Sequence, residues 1–218
     1  MKKNLFRVLS LAMAFLCLST VHAQETKAVS IIPQPQKLEA KGGEYLLPEK
    51  VVIGYDASFK AQAEYLQEML ARSTGRVAVL KEGKTKGSIV LQMDTVAVPV
   101  AEAYTLSVTP KCARIVASDA NGAFYGIQSL LQLFPAEIYS TSWQRSTEWK
   151  APCVEIYDAP ERPWRGLMMD VARYFYDKEF IKKTIDMMGM YKLNKLQFPL
   201  IDDSGWRLEI KKYPRPTE

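Results

Sequence analysis

Charged side chains closing two apolar runs near the C-terminus have the types and spacing to do chemistry. Leu167, Met168, Met169 and Val171 form a short apolar run that ends in Asp170 and Arg173, with Arg165 just before it. Leu196 to Ile201 form a second run, closed by Asp202 and Asp203. Between the two, Phe180, Ile181, Thr184, Ile185, Met188 and Tyr191 recur at helical spacing, and Asp177 is placed to cap a helix that starts near Glu179. The pattern predicts strand, helix, strand. Such a unit requires a parallel sheet, and a parallel sheet requires cover on both faces. Carboxylates and an arginine at the C-terminal ends of parallel strands can hold a polar substrate, and closed barrels of eight such strands keep their chemistry there. A barrel of that kind takes about 250 residues, so the segment reads as the first βαβ of a truncated (β/α)8 barrel. Against this stands a bland alternative. Arg165, Asp170 and Arg173 could be a structural ion-pair network, and Asp202–Asp203 a strand-end cap; Gly205 and Trp206 beside the two aspartates favour functional support.

Residues 24–157 must position that segment, and they read as an α+β domain: a mixed or antiparallel sheet with two helices. Ile31–Pro35 is an extended entry, and Gly42–Gly43 predicts a turn. Strands are predicted at Val51–Tyr55, Val77–Leu80 and Ile89–Met93, with an antiparallel pair at Tyr104–Val108 and Ala113–Ala117. One helix is predicted over Phe59–Arg72, with Ser58 as its cap and Gly75 beyond its end. A second follows Asn121–Gly122 and runs from Ala123 to Phe134, stopped by Pro135. Ser140–Lys150 reads as a polar connection whose Trp143 and Trp149 could stack on sugar rings, although packing is the favoured reading. Pro160 and Pro163 mark a boundary near 158–161, which divides the domain from the barrel segment 158–218. The methionines Met168, Met169, Met187, Met188 and Met190 read as core filler.

The chain has 218 residues, 48% of them hydrophobic, and a formal charge of +5. Its first 23 residues, MKKNLFRVLSLAMAFLCLSTVHA, have a basic start, a short apolar core, and Val21 and Ala23 in place for cleavage. They predict a bacterial signal peptide cut after Ala23, and export to the periplasm or beyond. Leu16 is too bulky for the small residue that precedes a lipidated cysteine, which argues against Cys17 as a lipid anchor. The apolar core falls short of the ~20 residues a membrane span needs, so no transmembrane segment is expected. Removing Lys2, Lys3 and Arg7 leaves +2, and no basic run argues for nucleic acid. His22 is the only histidine and departs with the signal. That excludes a Ser-His-Asp triad, a Cys-His pair and any histidine-ligated metal site; neither metal nor cofactor is expected. Cys112 and Cys153 can be either a disulfide or two free thiols.

The motifs Trp164-Arg165-Gly166 through Asp170-Val-Ala-Arg173, Tyr191-Lys192-Leu193-Asn194-Lys195-Leu196, and Asp202-Asp203-Ser204-Gly205-Trp206-Arg207 resemble the β-N-acetylhexosaminidases of glycoside hydrolase family 20. Ile32-Pro33-Gln34-Pro35 is similar to the family's opening, and Gly122 to Leu133 to the helix before its barrel. The resemblance implies hydrolysis of terminal N-acetylhexosamine from glycans, with retention through the substrate's own acetamido oxygen, an exception to the two-carboxylate scheme. It implies that Arg165 holds sugar hydroxyls and that Asp170, Arg173, Asp202 and Asp203 support. The catalytic Asp-Glu pair belongs to a later strand, so none of the catalytic residues is expected in this chain. Gln197, Pro199 and Tyr174 stand where the family carries histidines, and a proline in a central strand predicts a bulge or an altered strand. Those replacements are the signature of an alternative, a non-catalytic module that binds sugar or protein.

Overall fold

The computed structural model describes residues 29–83, 86–203 and 205–212. The predicted signal peptide, with His22 and Cys17, lies outside the described residues.

A seven-stranded mixed sheet forms the first unit. Its strands are β1 (Lys37–Leu46), β2 (Val52–Tyr55), β3 (Val79–Glu82), β4 (Ile89–Met93), β5 (Tyr104–Thr109), β6 (Cys112–Ala117) and β7 (Lys150–Asp158). Their spatial order is β1-β7-β5-β6-β4-β2-β3. The β1, β7, β5 and β6 side is antiparallel, and the β6, β4, β2 and β3 side is parallel. Along β5 and β6 buried residues alternate with half-exposed ones, as a sheet packed on one face demands. Two helices, α1 (Lys60–Thr74) and α2 (Ala120–Leu133), cover that face. Leu66 and Leu70 of α1 and Ile127, Leu130 and Leu131 of α2 join Ile53, Leu91, Leu106 and Ile115 in one core.

Local chemistry sets the helix ends. Gly75, at φ 70°, closes α1 by donating its N–H to the Ala71 carbonyl at 3.0 Å. Ser58 does not cap this helix: it lies within a short 3-10 turn, Ala57–Phe59, and α1 has no side-chain cap. Helix α2 begins earlier than Asn121–Gly122 suggested, because Asp119 is the cap and accepts the Gly122 N–H at 2.8 Å.

Two strands depart from expectation. Gly42–Gly43 is no turn. It lies inside β1, where the register against β7 shifts between Ala40 and Glu44, and Gly43 takes φ 98°. The pair is thus a bulge. Strand β7 starts at Lys150, where the predicted connection ends, and fills a stretch for which no element is predicted; its Pro152 pairs with Glu44 beside that bulge. Trp149 is buried at the start of β7, while Trp143 lies over Gly75 with the Arg145 guanidinium 4.5 Å from its ring. Cys112 and Cys153 are free thiols. β5 separates their strands, so their backbones lie about two strand spacings, ~9.5 Å, apart, beyond the ~7 Å a disulfide can bridge.

The second unit is the expected βαβ. β8 (Gly166–Met168) and β9 (Lys195–Gln197) are parallel, with Gly166 opposite Lys195 and Met168 opposite Gln197. Helix α3 (Lys178–Met190) joins them, capped by Asp177, which accepts the Phe180 N–H at 2.7 Å. Pro199 falls after the end of β9, so it removes no bond from that ladder. A small hairpin of β10 (Ile201–Asp202) and β11 (Gly205–Trp206) follows.

Helix α2 lies so close to the sheet that a Cβ on Gly126 would stand 2.6 Å from Ile115 Cγ2. Gly126→Ala is therefore expected to cost about 1–3 kcal/mol in urea unfolding. Gly42→Ala, which meets nothing within 4 Å, is expected to change stability by less than about 0.5 kcal/mol. Denatured without reductant, Cys112 and Cys153 should both react with a thiol reagent; a bond between them would leave both silent.

Candidate functional site at the strand ends and the domain seam

The chemistry-bearing residues gather at the two ends of β8. At its C-terminal end Asp170 is fixed by its own backbone: Oδ1 accepts the N–H groups of Ala172 and Arg173, each at 3.0 Å. Oδ2 pairs with Arg173 Nε, and Arg173 Nη2 stands 3.5 Å from Asp202 Oδ2. The hydrogen bond from the Arg173 backbone holds the Asp170 carboxyl below its ordinary range, against the effect of burial and with help from the Arg173 side chain. Hydrogen bonding to Asp170, then the Asp170 and Asp202 charges, hold the Arg173 guanidinium protonated, and the Asp203 charge adds to this. Asp203 itself sits in the hairpin turn at φ 49°.

Arg207 ties this rim together, a role that the sequence reading did not single out. Its Nε donates to Val171 O at 2.9 Å and its Nη2 to Ala172 O at 3.1 Å, which fastens the hairpin to the loop after β8. Gly205 permits that approach, because a Cβ there would lie 1.9 Å from the Ala172 carbonyl oxygen. Side chains of this kind at strand ends can orient paired hydroxyls, since a guanidinium offers a planar fork of donors.

Arg165 lies at the other end of β8. Its Nε donates to Lys192 O at 2.9 Å and Nη1 to Arg162 O at 2.7 Å. Nη2 reaches Glu102 Oε2 at 2.6 Å and the Tyr125 hydroxyl at 2.8 Å, and the guanidinium lies over the Tyr125 ring. The structure thus brings Asp170, Arg173 and Asp202 together, with Asp203 beside them, and sets Arg165 apart in the seam with the sheet domain. There its guanidinium donors bond Lys192 O, Glu102 and Tyr125.

A second ion pair in the seam has no counterpart in the sequence reading. Lys192 is 4% exposed. Its Nζ donates to Asp158 Oδ2 and to the Tyr104 hydroxyl, both at 2.8 Å. The Tyr104 hydroxyl also bonds Ser129 Oγ at 2.6 Å and Asp158 Oδ2 at 3.0 Å. Burial pushes the Lys192 ammonium down, and the Asp158 carboxylate works against it. Burial and then the Asp158 charge push the Tyr104 phenol well up. A cleft of about 590 Å³ opens beside these residues, lined by Gln36, Tyr125, Arg162 and Trp164 among others. Among the described residues no group of three or more His, Cys, Asp or Glu is placed to hold a metal ion.

The sequence profile of glycosyl hydrolase family 20, domain 2, matches residues 28–159, and that of the family's catalytic domain matches residues 163–218. The chain belongs to glycosyl hydrolase family 20. It is 37% identical over 195 residues to a beta-hexosaminidase of Porphyromonas gingivalis, covering 88% of this chain and 25% of that protein. It is 33% identical over 196 residues to the N,N'-diacetylchitobiase of Vibrio harveyi, covering 90% of this chain and 21% of that one. Among solved structures, the N-acetyl-beta-hexosaminidase of Streptomyces plicatus in complex with Thio-NAglucal superposes with a TM-score of 0.76 at 34% identity, over 85% of this chain and 37% of the other. The beta-N-acetylhexosaminidase of Bacteroides fragilis does so with 0.70 at 31%, over 84% and 35%. The family 20 chain thus spans about a quarter of the length of the relatives it matches. It comprises the α+β domain and the opening of the catalytic barrel.

Two outcomes follow. Lys192→Met leaves the half-buried Asp158 carboxylate without its cation, and is expected to cost about 3 kcal/mol in urea unfolding; adding Asp158→Asn should recover part of the loss. For the rim, the folded state holds the Asp170 carboxyl below its ordinary 3.8. Its stabilisation is then complete above pH 3.8 and lost as pH falls through the lower folded value. A carboxyl titration by NMR should place Asp170 below 3.8, and Arg173→Ala should move it up.

Proposed function

We propose that this chain is the opening part of an exported β-N-acetylhexosaminidase that hydrolyses terminal non-reducing N-acetylhexosamine residues of glycans by the substrate-assisted, retaining route. One observation carries the reading: the Asp170, Arg173 and Asp202 cluster stands at the C-terminal strand ends of a family 20 barrel opening. A barrel holds its substrate at that end. The relatives' names, beta-hexosaminidase and chitobiase, support the substrate class. Export to the periplasm or medium rests on the signal-like residues 1–23.

Within this reading Arg173 is the better candidate for contact with sugar hydroxyls. Its side chain is 56% exposed at the rim, against 17% for Arg165 in the seam. Asp170 and Asp202 hold it in place. Among the described residues no Asp-Glu pair stands at these strand ends to orient the acetamido group and protonate the leaving oxygen. A positioned acid of that kind contributes about 10²–10⁴-fold. A non-catalytic sugar- or protein-binding module is the second reading, favoured by Gln197, Pro199 and Tyr174 at positions where the family carries histidines.

The test is turnover of an aryl N-acetylglucosaminide by the purified 218-residue chain and by the longest product of its gene. The chain is expected to show none. The longer product should turn over, and Arg173→Lys should lower its kcat/KM by about 10²-fold. Turnover by the 218-residue chain itself would overturn the division of labour. Sugar binding without turnover by the longest product would favour the binding module.

A further inference from the structure

The barrel opening touches the sheet domain where α3 meets α2, with Gln132 Nε2 donating to Met190 O at 3.3 Å, and through two ion pairs, both from residues at the feet of its strands. Arg165 immediately precedes β8, and Lys192 lies in the corner between α3 and β9. Asn194 joins these corners: its Oδ1 accepts the Arg165 N–H at 3.0 Å, its Nδ2 donates to Pro163 O at 3.0 Å, and its own N–H reaches Arg165 O at 2.8 Å. Among the described residues β8 pairs with β9 and with no other strand. A ladder that short specifies register weakly, so the height of both strands is set where they are fastened.

The partners on the sheet domain are themselves held firmly. Glu102 takes φ 61° and donates its N–H to Asp119 Oδ2 at 2.7 Å, the same carboxylate that caps α2. Lys192 takes φ 60°. Both are non-glycine residues in the left-handed region, which such residues seldom occupy, and each faces its ion partner across the seam. Backbones held this way cluster where the surroundings over-determine a geometry. Asp158 is the last residue of β7 and stays between Lys192 and Tyr104. Tyr104 in turn is locked to α2 through Ser129.

We propose that Arg165 and Lys192 are positioning residues: the Arg165–Glu102 and Lys192–Asp158 pairs seat β8 and β9 at a fixed height on the sheet domain, and so bring Asp170, Arg173 and Asp202 together at the opposite strand ends. The inference rests on the reading of those strand ends as the sugar-holding rim, but its geometry does not depend on turnover. From Arg165 to Asp170 the chain advances by roughly 16 Å at ~3.3 Å per residue. A tilt at the foot therefore becomes a displacement at the rim. Arg165→Lys keeps the charge but loses the fork that serves Arg162 O, Lys192 O, Glu102 and Tyr125 together. A lysine offers its donors from a single point.

The test is amide hydrogen exchange on the 218-residue chain, comparing wild type with Arg165→Lys and Lys192→Met. The readout is the amides of Ala172 and Arg173, which bond Asp170 and touch neither substituted side chain. Expected is exchange at these amides faster than in wild type by about tenfold or more in both variants, and faster than exchange at β5 and β6 in the same variant, as for a locally opened unit. Rim amides that keep their wild-type rate while only Leu193 to Lys195 speed up would overturn the proposal, because the pairs would then be local glue. Rim amides that exchange no faster than β5 and β6 in the same variant would overturn it as well, since that is general unfolding. Should Lys192→Met fail to fold, Arg165→Lys and Tyr104→Phe, which removes one partner of the Lys192 amine, carry the same comparison. The exchange outcome is read without substrate, so it stands apart from the failure or success of the hydrolase assay.

Discussion

The Lys192 amine is withdrawn from water between the Asp158 carboxylate and the Tyr104 hydroxyl. An isolated ammonium at such a site would lose its hydration with nothing in return, so it is tolerable only while both partners stay in place. Asp158 ends strand β7, Tyr104 begins the neighbouring β5, and Lys192 lies between α3 and β9. One constraint therefore couples the sheet, its covering helix through Ser129, and the start of the barrel. The Arg165–Glu102 pair repeats the arrangement a short way along the seam. Replacing either pair with apolar groups of like volume could leave stability unchanged; what ions add is a defined partner and angle.

That coupling ties the α+β domain to the strands of the barrel opening. Short parallel strands have few ways to fix their own height, and the barrel rim is made from their ends. In this chain the feet of β8 and β9 are fastened to a sheet whose core is continuous and well buried. The rim then needs only short-range devices. Asp170 is held by two backbone amides, and Arg207 fastens the hairpin to the Val171–Ala172 carbonyls. Positioning over a long reach comes from the seam, and orientation over a short reach comes from the rim.

The features legible in the sequence were those decided locally. Asp177 announced its helix, Gly75 ended another, and the run Ile89–Met93 emerged as a strand with the same bounds. Asp170 with Arg173, three residues apart, formed the pair that their spacing allowed. What escaped was decided at long range or masked by a stronger local signal. The Asn121–Gly122 turn signal hid the Asp119 cap, Pro152 hid β7, and the glycine pair within β1 read as a turn. The seam was invisible for a simpler reason. Glu102 and Arg165 are 63 residues apart, and Asp158 and Lys192 are 34 apart, with no spacing rule to join them. Nothing local in the sequence indicates that the Arg165 side chain meets Glu102 and Tyr125 at the foot of β8.

The most direct measurement of this account is calorimetric unfolding of the 218-residue chain. If the seam pairs make the sheet domain and the barrel opening one cooperative unit, heating gives a single transition whose calorimetric and van't Hoff enthalpies agree. A separate, broad transition at lower temperature, with residues 163–212 lost while the sheet remains, would contradict it.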